Sequence, residues 1–333
     1  MPDTNRDELW PIVDFHAHIR PPWWKLEIPP GVSGADAAWQ KTWGEKLTSP
    51  ETLARETAEA DVSLRLLSST IEGISGISGP VDHEEVRRHN DYLADLAASQ
   101  PDRFAALATA DAFSGEAGAR EAERAVTERG HVGIVVDSAR DGVFAGDPVT
   151  WPVFAVAAKL KVPVLVHPIA APNAEALIKA AGRAGNSFGR GHVNGTAFLS
   201  ILKNGLLDEF PELDLVFTGI GLGALITATA EAPAYSLAAR DAGKERPNLY
   251  FDFMGLDPSV LKFALEILGA ERVLVGSDWP IWANLTRAKL LAVFDRAQVA
   301  EADRRRIAGG NAQRLLVRRG TAASSGGSAQ AHG

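Results

Sequence analysis

Two histidines one residue apart close an apolar run near the start of the chain, in Val13-Asp14-Phe15-His16-Ala17-His18. Alternation along a strand sends side chains at i and i+2 to the same face, so one ion can meet both imidazoles. A third histidine ends a second apolar run, Val162-Pro163-Val164-Leu165-Val166-His167-Pro168. An aspartate closes a late one, Gly276-Ser277-Asp278-Trp279-Pro280. Three imidazoles and one carboxylate make a donor set for one divalent metal ion and leave room for a bound water. Zn is the first expectation, and Mn, Fe and Co also suit such ligands. Asp278 is in addition a catalytic candidate.

The composition narrows the chemistry. The 333 residues contain no cysteine, which excludes disulfides, thiolate nucleophiles and cysteine-bound zinc. A formal net charge of −8 argues against nucleic acid or an anionic membrane surface as partner and leaves a small-molecule substrate. The N-terminal stretch has mixed charge and no apolar segment of signal-peptide length, and no apolar run is long enough to span a bilayer. A cytoplasmic protein is expected.

The elements that must position these residues follow from the hydrophobic pattern. Short β-branched runs alternate with longer Ala- and Leu-rich segments, as in repeated βα units around a parallel sheet. Strands are predicted at Ile12–Phe15, Val62–Ser68, Phe104–Ala108, Gly133–Val136, Val162–Val166, Leu213–Phe217, Leu249–Phe253 and Val273–Val275. Helices are predicted between them, including Glu84–Ser99, Gly118–Thr127, Trp151–Leu160, Ala174–Ala181, Thr196–Phe210 and Pro258–Leu268. Eight such units suit an α/β fold of the (β/α)8 TIM-barrel type, in which the strand C-termini build the active site. All four candidate ligands fall at such strand ends. Residues 1–320 are expected to form one barrel domain, with a Pro-, Trp- and Gly-rich loop insertion over about 20–50 after the first strand. Residues 321–333, rich in Ser, Gly and Ala, read as a disordered tail.

Further candidates surround this set. Trp23 and Trp24 in the insertion, with Trp279 and Trp282 beside Asp278, suit either the walls of a flat pocket for a planar substrate or simple packing of the insertion on the barrel. Arg20 and Arg140 are candidate partners for a substrate carboxylate, against the alternative of ordinary surface ion pairs. His83 and His89 lie in a charged helical stretch and are expected to be solvated.

Several segments are similar to the amidohydrolase superfamily, within it the branch of 2-amino-3-carboxymuconate-6-semialdehyde decarboxylase and the resorcylate-type decarboxylases. These are His16-Ala17-His18, Val166-His167-Pro168 and Gly276-Ser277-Asp278-Trp279-Pro280. Asn90-Asp91-Tyr92-Leu93, Gln100-Pro101-Asp102-Arg103-Phe104, the stretch 205–213 leading to the sixth strand, and the closing stretch 307–316 extend the likeness over residues 11–316. The resemblance implies His16, His18, His167 and Asp278 as metal ligands. It also implies a hydrolase or non-oxidative decarboxylase acting on a small cyclic or aromatic carboxylate. In either reaction the metal lowers the pKa of bound water or polarises a substrate oxygen.

One position departs from the branch. Its members usually carry a histidine at the end of the sixth strand as acid/base partner, and here that stretch reads Val216-Phe217-Thr218-Gly219-Ile220-Gly221. Candidates to replace it are Asp137 at the end of the fourth strand, Asp111 after the third, Asp252 in the seventh, and His192 in a predicted loop after the fifth. Two other readings stay open: an iron-dependent, oxygen-using hydroxylase on the same fold, and a non-catalytic subunit paired with a homologous chain. A homo-oligomer, most simply a dimer, is expected otherwise.

Overall fold

A computed structural model describes residues 10–26, 34–231, 248–253, 257–281 and 285–316. Eight parallel strands close into a barrel, each hydrogen-bonded to its sequence neighbour, with the last returning to the first. They are β1 (Val13–His18), β2 (Leu64–Ser68), β3 (Phe104–Thr109), β4 (Gly133–Asp137), β5 (Val164–His167), β6 (Leu215–Phe217), β7 (Leu249–Phe253) and β8 (Val273–Val275). All eight predicted strands are present. β5 and β6 begin later than the apolar pattern suggests, and in β5 the preceding Pro163 has no N–H to give the ladder.

Two apolar layers hold the barrel. Val13, Phe15, Leu66, Leu107, Val135, Leu165, Val216 and Leu274 pack inside it. Ile134, Val136, Val164, Val166, Phe217, Phe251 and Val275 face the outer helices. Burial of both strand faces explains why these runs read as continuous rather than alternating. The register of β1 on β2 slips between Asp14 and Ala17. This bulge breaks the simple alternation, as bulges do when they re-aim side chains. Asp14 turns to Arg65 (3.0 Å) and to the Ser277 hydroxyl (2.6 Å), while His16 and His18 stay together at the strand's C-terminal end.

The helices that matter for the site are α1 (Gly34–Leu47), α2 (Pro50–Glu59), α3 (Ile71–Ser75), α4 (His83–Ser99), α5 (Glu116–Glu128), α6 (Trp151–Leu160) and α7 (Ala174–Asn204). The insertion expected as a loop therefore carries a helix: α1 lies within it, and only 27–33 falls outside the described residues. The predicted tail at 321–333 lies outside them as well.

α7 corrects a second expectation. Its backbone breaks at Ala181 and Gly182, where the first predicted helix ends, but it resumes at once and runs through the stretch read as a loop. The glycines there serve close approach instead of turning. A Cβ on Gly191 would lie 2.4 Å from the Ile220 carbonyl oxygen. Two sequence motifs prove to be clasps: Asn90 exchanges hydrogen bonds with the Thr109 backbone (2.8 and 3.0 Å), and Asn311 donates to the Ala270 and Val273 carbonyls (2.7 and 2.8 Å). Among the described residues no helix is long and apolar enough to cross a membrane.

Candidate active site

At the C-terminal mouth of the barrel β1, β5 and the turn after β8 bring His16, His18, His167 and Asp278 together, with four ligand atoms all within 4.8 Å of one another. His18 Nε2 lies 3.1 Å from the Nε2 atoms of both His16 and His167. Asp278 Oδ1 is 3.1 Å from His18 Nε2 and 3.5 Å from His16 Nε2. The Asp278 backbone takes φ +52, in the left-handed region, and its N–H donates to the His16 carbonyl (2.8 Å). A non-glycine residue held there turns its carboxylate into the mouth.

The protonation states fit a cation at the centre. Burial pushes His18 down and His167 well below the ordinary histidine range, so both rings are neutral and present lone pairs. Burial also acts to lower His16, but the Asp252 carboxylate outweighs it and holds the ring up at about 9. His16 Nδ1 donates to Asp252 Oδ2 at 2.7 Å, which leaves Nε2 for either a proton or a metal ion. The second Asp252 oxygen accepts the Gly219 N–H (2.8 Å), and Ser68 Oγ meets His18 Nδ1 at 3.0 Å. Such partners behind the ligands fix tautomer and ring orientation. Asp252, raised from the sequence as a replacement for the missing histidine, thus stands behind His16.

Above the four residues opens a cavity of about 520 Å³. Arg20, Trp24, Trp39, Trp43, Glu72 and Arg190 are among its walls. Arg20 is clamped: Nη1 donates to Ser69 Oγ (2.6 Å), Nη2 donates to Thr70 Oγ1 (3.1 Å), and a Cβ on Gly73 would collide with the guanidinium at 2.0 Å. Glu72 takes both terminal nitrogens of Arg190 (2.7 and 2.9 Å) and the Ala170 N–H (3.0 Å). Arg190 also donates to the Pro168 carbonyl (2.9 Å), so the pair pins the loop that follows His167.

Other candidates fall elsewhere. Trp24 lines the cavity, but Trp23 is 43% exposed and donates to Glu85 (2.6 Å) outside it. Trp279 is buried, donates to Glu56 of α2 (2.9 Å), clusters with Ala17, Leu53 and Leu67 and borders a separate cavity, so it packs α2 against the barrel. Trp282 lies outside the described residues. Arg140 is spent on the carbonyls of Gly76 and Gly79 (2.8 and 2.7 Å) and is not a wall of the cavity. His192 sits exposed on α7 beside a different surface hollow, because the continued helix carries it away from the metal cluster. Asp111 caps a short 3-10 turn at Ala112–Ser114. His89, expected in solvent, is buried, and its Nδ1 meets Ser69 Oγ at 3.1 Å behind Arg20. Burial pushes it down to about 3. His83 is exposed, as expected. Thr218, in place of the sixth-strand histidine, is buried and donates to Asn194 Oδ1 (3.3 Å).

Asp137 is buried at the end of β4, with Oδ2 accepting the Glu72 N–H (2.6 Å) and Oδ1 without a partner. Burial, reinforced by Glu72, pushes its carboxyl up from an ordinary 3.8 to about 7. A folded-state value above the unfolded one stabilises fully below pH 3.8 and loses that contribution as pH rises through 7. Asp137→Asn stays neutral and keeps the bond to Glu72. Its melting temperature is expected to exceed the parent's increasingly between pH 5 and pH 8, by roughly 5 °C or more at the upper end. A gap that stays flat or shrinks with pH would show that Asp137 is ionised in the folded chain.

The sequence reading passed over Glu72, Arg190, Trp39 and Trp43. Glu72 follows the second strand, so inspecting every strand end would have found it. Trp39 and Trp43 share one face of α1 at i and i+4 spacing. Nothing local marks Arg190, whose partner lies 118 residues away.

The family model described as amidohydrolase matches residues 13–318. The chain is 28% identical over 303 residues to the gamma-resorcylate decarboxylase of Polaromonas sp. strain JS666, covering 84% of this chain and 91% of that one. It is 31% identical over 252 residues to the gamma-resorcylate decarboxylase of Rhodococcus jostii strain RHA1, covering 69% and 75%. The crystal structure of a dihydroxybenzoic acid decarboxylase from Polaromonas sp. JS666, with bound manganese and the inhibitor 2-nitroresorcinol, superposes with a TM-score of 0.75 at 22% identity, covering 92% of this chain and 97% of that one.

Proposed function

The chain belongs to the amidohydrolase family, and from that premise we propose that it is a metal-dependent, non-oxidative decarboxylase of an aromatic carboxylate. The observation that carries the reading is the convergence of three imidazole nitrogens and Asp278 at the floor of a cavity walled by indoles. His16, His18, His167 and Asp278 would hold one divalent ion, and Mn(II) is the first to load because the related Polaromonas structure carries manganese. When bound, the ion polarises a substrate oxygen and draws off negative charge.

The gamma-resorcylate decarboxylases to which the chain is 28% and 31% identical favour decarboxylation over hydrolysis, and without a sixth-strand histidine the proton must come from another group. In decarboxylation the ring carbon–carboxylate bond breaks, CO2 departs, and the electron pair left on the ring carbon takes up one proton. Among the groups that face the cavity, both Glu72 oxygens accept hydrogen bonds from Arg190, and the three imidazoles turn Nε2 toward the metal position. Asp278 remains. Burial acts to raise it, but His16 and His18 beside it hold it below the usual carboxylate range. It must therefore accept a proton before giving one, and a hydroxyl ortho to the substrate carboxylate supplies it. Trp24, Trp39 and Trp43 flank the ring and exclude water.

The test is CO2 release from 2,6-dihydroxybenzoate by the Mn(II)-loaded chain, measured beside oxygen uptake and lactone hydrolysis. Metal-dependent CO2 release that is unchanged without oxygen is expected. Hydrolysis or oxygen consumption with no CO2 release from any hydroxybenzoate tried would overturn the proposal.

A further inference from the structure

The charge on the cavity wall is opposite to that of the whole chain, whose formal net charge is −8. Apart from the histidines of the metal cluster, its charged lining groups are Arg20, Arg183, Arg190, Glu72 and Asp278. Glu72 neutralises Arg190, and Asp278 belongs to the metal cluster. Among the described residues no carboxylate lies within ion-pair distance of Arg20 or Arg183, although Glu72 and Asp137 act on Arg20 from farther off. With a divalent ion in place, five positive charges face two negative ones, and Asp252 and Asp137 behind the wall offset only part of that surplus. An unpaired cation lining a partly desolvated cavity calls for an anion from the ligand.

The two unpaired guanidiniums stand at opposite ends. Arg20 is buried beside the metal cluster and clamped by Ser69, Thr70 and Gly73. Arg183 is exposed at the outer end, the first residue after the α7 break, and heads the helix face that continues through Asn186, Ser187 and Arg190 into the cavity. Its guanidinium stacks on the Trp39 indole, 3.9 Å from the ring centroid, so α1 and α7 meet across the cavity mouth. Stacking orients the group yet leaves its N–H donors in plane and free for a bidentate acceptor.

We infer that the cavity takes an aromatic dicarboxylate, with one carboxylate beside Arg20 and the metal cluster and the second bound at the mouth by Arg183 on Trp39. The inference rests on the decarboxylase reading only for which carboxylate is the reacting one; Arg183 is a specificity-determining residue for the other.

The test uses benzoate, isophthalate and terephthalate, which lack the ortho hydroxyl and serve as unreactive probes. Their dissociation constants for the Mn(II)-loaded full chain are measured by calorimetry at fixed ionic strength. The better of the two diacids is expected to bind at least about tenfold more tightly than benzoate. In Arg183→Gln that preference should disappear with metal content unchanged, and in Arg183→Lys part of it should return. Equal affinity for benzoate and both diacids, or a preference that survives Arg183→Gln, overturns the inference. A diacid preference that depends on Arg183 in a protein releasing no CO2 would sink the decarboxylase reading and leave this one standing.

Discussion

His167→Ala is expected to lower CO2 release by on the order of a thousandfold or more, with metal content falling in parallel. The imidazole approaches His18 to 3.1 Å, and burial keeps it neutral, so it serves the centre as a lone-pair donor rather than a proton carrier. Alanine removes one of four donors and leaves a gap that water fills without the same orientation. The lost metal binding and lost oxyanion stabilisation together amount to about 4 kcal/mol. Metal analysis of protein purified without chelator, beside the turnover number in saturating Mn(II), checks this. Full turnover in His167→Ala at one bound metal per chain would mean that the reacting centre lies elsewhere.

Asp278→Asn should separate holding the metal from moving the proton. An amide oxygen can still face His16 and His18, so Mn(II) at high concentration is expected to fill the site. The amide cannot take up a proton at neutral pH, and kcat should remain down by about a thousandfold or more even in the filled variant. A second readout separates this from a merely weakened site. In D2O the parent should exchange the ring proton of the phenolic product slowly with solvent, through the reverse of the protonation step. The variant should not. Restored turnover at saturating Mn(II) would remove Asp278 from proton transfer and leave it as a ligand alone.

The strands were legible because both faces of each are buried, which forces unbroken apolar runs, and the candidate metal ligands were legible because they end those runs. His16 and His18 needed only the two-residue period of a strand. Other residues were misplaced because their surroundings come from distant parts of the chain. His89 looked solvated in its charged segment, yet it is buried, with Ser69 Oγ at its Nδ1 and the Trp23 ring edge-on to it. His192 looked like a loop residue because its neighbours are glycines, and those glycines turned out to let α7 press on the turn at Ile220. Trp279 and Arg140 looked like substrate contacts, but Glu56 and two carbonyls of the 76–79 segment occupy their polar atoms.

The sequence by itself therefore determined the barrel and the four residues at its floor, since a period of two and a run of buried β-branched residues are local properties. Tertiary structure alone decided what surrounds that floor. Glu72 and Arg190 are 118 residues apart, and Trp39 and Arg183 meet only because the insertion helix and α7 fold over the same mouth. Packing energy at those meetings depends on which surfaces face each other, and no periodicity along the chain records that.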